Sequence, residues 1–194
     1  MTPRRIVRSN SGSSTGRLLA ATLAVAVGLG LLGLWGCESG LPEEDQVVRD
    51  VLRTDFPGWR LVTTRDLSAD QQRQWSAEHP GQQPGLASGS YFGETRKAYA
   101  ALLTMDAKEG RRMRVVVLKP TPEGARFEAL VLFSESPVDS TPQIFTSKAG
   151  EYQVFLGGKS MPVPTEGVVY AHGAGQQKLF FWNVERFQDV ELTP

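Results

Sequence analysis

The chain predicts an α+β domain, with N-terminal helices packed on a largely antiparallel, meandering β-sheet. Three observations carry that expectation. Helix signals come first, between residues 43 and 78. Short β-branched and aromatic runs recur after residue 90, and the segments joining them are hairpin-sized.

The first helix is expected over Glu43–Phe56. Pro42 suits its opening turn, and Glu43, Glu44 and Asp45 complement the positive end of the helix dipole. Val47, Val48, Val51 and Leu52 make one apolar stripe, and Pro57-Gly58 ends the run. Trp59–Thr63 reads as a short strand. Ser68-Ala69-Asp70-Gln71 has capping-box spacing and opens a second helix to about Glu78, stopped by Pro80-Gly81. Residues 80–90, rich in Gly, Gln, Pro and Ser, are expected to be a mobile loop.

Strands are expected over Tyr99–Met105, Met113–Lys119, Phe127–Phe133, Gln143–Phe145, Tyr152–Leu156, Gly167–Ala171, Lys178–Trp182 and Phe187–Leu192. In the first of these both alternating faces are apolar, which fits a central strand covered on two sides. In Phe180-Phe181-Trp182 neighbouring rings point to opposite faces, and core on both sides is the expected arrangement.

Charge is unevenly placed along the 194 residues. Arg4, Arg5, Arg8 and Arg17 are the only charges before Cys37, so 17 of the 21 basic side chains face all 21 acidic ones over the remaining 158 residues. That acidic body lacks the concentrated positive face that phosphate neutralisation needs, so no nucleic-acid partner is expected. One cysteine excludes an intramolecular disulfide, and with two histidines it gives no zinc-site pattern. No metal and no cofactor are expected.

Leu18 to Gly36 is an uncharged apolar run of 19 residues. As a helix rising about 1.5 Å per residue it would span roughly 28 Å, close to the hydrocarbon core of a bilayer. The basic flank before it and the acidic flank after it keep the arginines in the cytoplasm and carry everything after Cys37 across the membrane. Leu34-Trp35-Gly36-Cys37 resembles the lipobox of bacterial lipoprotein precursors, although Trp35 stands where that family favours Ala, Ser or Thr. The resemblance implies that residues 1–36 are a signal peptide and that Cys37 receives a diacylglycerol. It further implies cleavage before the cysteine and acylation of the new amino terminus, with palmitate as a typical chain. Residues 37–42 would then be a lipidated tether and residues 43–194 one periplasm-facing domain. Glu38, where Asp commonly retains such proteins at the inner membrane, favours the outer membrane by the same resemblance. The alternative is an uncleaved anchor with Trp35 in the membrane's aromatic belt.

Ser90 to Leu103 resembles the DFNGDGKxDYAxLL segment of secreted calcium-loop proteins, including FG-GAP-like repeats. Ser90, Phe92, Glu94 and Ala98 stand at the ligand positions, while Gly93, Lys97, Tyr99 and Ala100 fit the scaffold. One carboxylate cannot supply the charged oxygens calcium requires, so a turn leading into a strand is expected, without the ion. Gly157-Gly158-Lys159-Ser160 has the tail of a phosphate-binding loop, but Gln153 and Pro162 break the pattern and a hairpin turn fits better. Ser88 lies outside any G-x-S-x-G elbow. His172-Gly173-Ala174-Gly175 reads as a glycine turn between strands, and His79 is the only other imidazole. Glu94, Asp106, Glu109 and Asp139 are available carboxylates whose spacing gives no reason for any two to meet. The sequence therefore predicts a non-enzymatic, lipid-anchored binding or adaptor module of the cell envelope, with no catalytic residues and with an envelope protein as partner. The alternatives are an exported, single-pass anchored enzyme with a dispersed carboxylate site and a small-ligand carrier.

Overall fold

The computed structural model describes residues 43–123, 126–138, 140–155, 159–172 and 175–192. Cys37, the apolar run before it, Asp139, Gly157, Gly158, Gly173 and Ala174 lie outside these.

Helix α1 (Glu43–Asp55) buries Val48 and sets Val47, Val51 and Leu52 beside it, as the stripe requires. Strand β1 (Arg60–Leu61) follows, then a single 3-10 turn over Thr64–Asp66 and helix α2 (Ala69–Glu78). The capping box of α2 is formed: Gln71 N–H donates to the Ser68 Oγ at 3.3 Å and Ser68 N–H to Gln71 Oε1 at 3.0 Å. Only Trp75 of that helix is buried. The remaining elements are strands: β2 (Leu86–Gly89), β3 (Ala98–Ala107), β4 (Gly110–Pro120), β5 (Phe127–Glu135), β6 (Gln143–Ser147), β7 (Gly150–Gln153), β8 (Ser160–Val163), β9 (Gly167–His172), β10 (Gln176–Asn183) and β11 (Arg186–Leu192).

An α+β chain with antiparallel pairing throughout is thus what forms, with strand predominating. Two features differ from the sequence reading. The helices do not form an N-terminal block, because β1 lies between them and pairs with the centre of a sheet. And the strands do not make one meander. They divide into a five-stranded sheet, β1-β3-β4-β5 with β2 also on β3, a four-stranded sheet in the order β11-β10-β9-β6, and the β7–β8 ribbon.

Alternation along the strands explains why the sheets stack. On β3, Ala98, Ala100 and Leu102 face the second sheet while Tyr99, Ala101 and Leu103 face α1. On β4, Met113, Val115 and Val117 face inward between the sheets, and Val116 and Leu118 face the helix. The second sheet offers Ile144, Val168, Tyr170 and Phe180 to this seam, and Val169, Leu179 and Phe181 to the β7–β8 ribbon on its far side. The order is helix, sheet, sheet, ribbon. Both faces of Phe180-Phe181 are core.

Residues 80–90 are the largest local departure from expectation. Within them Leu86–Gly89 forms β2, whose Ala87 pairs with Ala100. Pro84 O accepts from Ile144 N–H at 2.8 Å and Gly85 O from Leu102 N–H at 2.8 Å, so the segment ties the two sheets together. Gly85 is there for closeness: a Cβ would sit 2.2 Å from the Val62 carbonyl oxygen.

Candidate functional site

A bulge builds the candidate site. Phe127 and Ala129 of β5 pack on the α1 side. Between Val131, opposite Val116, and Phe133, opposite Val115, β5 carries one extra residue, Leu132. Period-2 alternation would send Phe133 to the helix side; the extra residue reverses that and turns Phe133 into the seam. Its ring centroid lies 5.2 Å from Tyr170 and 6.0 Å from Phe180. Glu135, two residues on, shares that face, and its Oε2 accepts a hydrogen bond from the Tyr170 hydroxyl at 2.6 Å.

Across the second sheet, register places Tyr170, Lys178 and Glu191 in one row over β9, β10 and β11. Directly opposed side chains share a face, with Cβ atoms about 5 Å apart. His172 and Gln176 form the next row. Phe155 reaches the same place from β7, held by the Val154–Leu192 bridge and by its own N–H donating to Glu191 O at 3.0 Å. Together with Phe133, Glu135, Gln177 and Leu192 these residues line an open cavity of about 250 Å³.

The electrostatics are uneven. Lys178 Nζ lies 4.9 Å from the Phe133 centroid and 3.6 Å from Asp189 Oδ2, so its charge already has a carboxylate and an aromatic face. Glu135 and Glu191 make no ion pair among the described residues. Burial pushes the Tyr170 hydroxyl well above the usual phenol range, and the hydrogen bond to Glu135 and its charge push the same way. The hydroxyl therefore remains a donor at neutral pH. Tyr170 and His172 rings lie 6.2 Å apart, and His172 Nε2 is buried without a hydrogen-bond partner. Among the described residues the lining contains no serine, threonine or cysteine. The arrangement gathers three aromatic rings, two carboxylates without ion pairs among the described residues, an ammonium, an imidazole and two side-chain amides around one recess.

Of the residues singled out from sequence, His172 alone lines this cavity. His79 caps α2 instead, its ring stacked 4.1 Å from Trp75 and tilted 4.9 Å from Phe145, and burial among them lowers its pKa despite Glu78 nearby. Asp106 and Glu109 sit at the β3–β4 hairpin, paired with Arg111 at 3.7 Å and Arg112 at 2.7 Å. Glu94 lies before the other end of β3. Eight residues of strand, roughly 26 Å, separate Ala98 from Asp106, so these carboxylates do not share a site. Ser88 lies on β2, where its carbonyl accepts from Thr146 Oγ1 at 3.0 Å. Ser160 pairs with Gln153 in the β7–β8 hairpin.

Ser90 to Ala98 is a turn entering β3. Gly93, at φ 71°, donates its N–H to Ser90 O at 3.1 Å. The Phe92 ring is in an aromatic cluster, 5.0 Å from Trp182 and 5.4 Å from Phe187, and Ala98 is buried in the seam. Lys119 Nζ lies over that cluster, 4.9 Å from Phe92 and 5.4 Å from Trp182. Among the described residues no group of three or more His, Cys, Asp or Glu side chains is placed to hold a metal ion. Nor, among them, is any helix long and apolar enough to cross a membrane.

Phe133, Glu135, Tyr170, Lys178 and Glu191 were not visible as a site in the sequence. They come from four strands, and the bulge that turns Phe133 and Glu135 inward has no residue signature of its own. No family model matches the chain, and no curated protein or solved structure matches it.

Proposed function

We propose that the chain is an exported lipoprotein, anchored in the membrane through Cys37, whose body is a non-enzymatic binding module facing the periplasm. The observation that carries the binding half is the cavity of about 250 Å³ between the sheets, lined by aromatic rings and charged groups. The anchoring half is supported by Leu34-Trp35-Gly36-Cys37 at the end of an uncharged apolar run, and Glu38 favours delivery to the outer membrane. The cavity also favours a ligand carrier over an adaptor that uses only its surface. Among the described residues the large exposed apolar side chains are scattered, with Val131 on β5, Phe155 after β7 and Val184 in the turn between β10 and β11.

Intact-mass measurement of the membrane-extracted protein tests the anchor. The expected species begins at Cys37 and carries the mass of its acyl chains. A Cys37→Ser variant that keeps wild-type size, membrane retention and palmitate incorporation would overturn it. The binding half is tested separately, by the ligand measurements that follow.

A further inference from the structure

The cavity's charge and aromatic content point to a ligand class, and this inference rests on the reading of the body as a binding module. We propose that the cavity binds a small primary ammonium compound with an apolar body.

Four features converge on that chemistry. Three carboxylates, Glu135, Glu191 and Asp189, surround the site or its edge against a single ammonium, Lys178, whose nitrogen already lies 3.6 Å from Asp189. The two remaining carboxylates have no cationic partner among the described residues, and the Tyr170 hydroxyl satisfies only one oxygen of Glu135. Aromatic rings attract cations through their faces, and Phe133 does so here already with Lys178 Nζ at 4.9 Å. Finally, His172 Nε2 is a buried ring nitrogen left without a partner. In the tautomer that places the proton on Nδ1 it accepts a hydrogen bond, and a primary ammonium supplies three donors. Phe155, 61% exposed at the mouth, is free to pack on the apolar part of the ligand. A carboxylate or phosphate ligand would meet Glu135 and Glu191 at close range, and like-charge contact in a half-buried site opposes it.

The test uses three probes of one size and shape that differ in charge: 2-phenylethylamine, 2-phenylethanol and phenylacetate. Binding to the full detergent-extracted chain is followed by titration calorimetry and by intrinsic fluorescence. The amine is expected to bind at least about tenfold more tightly than the alcohol, and phenylacetate most weakly. Glu191→Gln, at an exposed position where the unfolding midpoint is expected to stay unchanged, is expected to lower amine affinity several-fold and leave the alcohol unchanged. Lys178→Met is expected to raise amine affinity by relieving repulsion. Equal binding of amine and alcohol, tighter binding of phenylacetate, or no binding of the amine at millimolar concentration would each overturn the proposal. A chain that lacks palmitate yet binds the amine sinks the anchor and leaves this site standing.

Discussion

The seam between the two sheets is closed at one end and open at the other, and strand β10 serves both. Trp182 and Lys178 lie four residues apart on one face of that strand, roughly 13 Å. At Trp182 the turn after β2 folds over the seam and delivers Phe92. Three rings then meet edge-on at 5.0 to 5.4 Å, with Lys119 above them. At Lys178 the matching parts are Phe133, Tyr170 and an ammonium on a ring, but the space beyond them stays empty and becomes the cavity. The same components, aromatic rings capped by lysine, make packing where a loop covers them and a recess where none of the lining residues does. What separates core from site here is coverage, not composition.

Truncations along this seam should rank accordingly. Phe180, buried between the two ends, is expected to cost about 3–5 kcal/mol as Phe180→Ala. Trp182→Ala, half-buried and held by two rings, is expected to cost about 2–3 kcal/mol. Phe155→Ala at the mouth of the open end is expected to change stability by less than about 0.5 kcal/mol. Urea unfolding of the three variants measures this directly. A Phe155→Ala cost as large as that of Trp182→Ala would mean that the cavity end is packed in solution and that the contrast is false.

Each end also carries a buried tyrosine, and their partners differ. Tyr91 is bonded to Thr146 Oγ1 at 2.8 Å; since that hydroxyl gives its own proton to Ser88 O, Tyr91 is the donor. Tyr170 donates to a carboxylate. Burial raises both phenols above their ordinary value of 10.0, with the Thr146 bond opposing it for Tyr91 and Glu135 reinforcing it for Tyr170. A phenol whose pKa is higher folded than unfolded contributes stability that is complete below about pH 10 and falls as pH rises above it. Stability should therefore decline through the alkaline range, and Tyr91→Phe and Tyr170→Phe should each flatten the decline. At neutral pH the two should separate. Tyr170→Phe leaves Glu135 without its donor, at about 1–3 kcal/mol, whereas Thr146 keeps its bond to Ser88 and Tyr91→Phe should cost about 1 kcal/mol. Equal costs would remove the electrostatic difference between the ends.

The closed end was more legible in the sequence than the open one. The stripe of α1, the Ser68 capping box and the centres of most strands followed from periodicity and capping chemistry, which act over a few residues. The aromatic density around Phe180 to Phe187 was visible for the same reason. β2 was not. The glycines in and just before it, read as loop punctuation, answer to close approach, at Gly85 against the Val62 carbonyl and at Gly89 where a Cβ would lie 2.9 Å from the buried Tyr91 ring. The division into two sheets was also hidden, because strand order depends on which pairings close, and β6 joins β9 across the intervening ribbon. The open end depends on the Leu132 bulge and on a row of residues brought together by register. Only His172 had drawn notice, and for its glycine neighbours rather than for the strand that positions it.

Backbone strain offers the smallest test, at the closed end. The β10–β11 hairpin turns through Val184 and Glu185, with Asn183 paired to Arg186. Val184 has φ 58°, a conformation a β-branched residue resists, and its side chain is 83% exposed, so no burial offsets the strain. Beside the turn Trp182 pairs with Phe187, their rings 5.4 Å apart. If the ring cluster sets that geometry, Val184→Gly should relieve the turn without moving the strands. Stability is then expected to rise by about 1 kcal/mol, read as a higher urea midpoint at unchanged slope. In a Trp182→Ala background the hairpin is free to relax, and the gain from the glycine should shrink. An undiminished gain there would mean that the turn, rather than the cluster, fixes the register at this end.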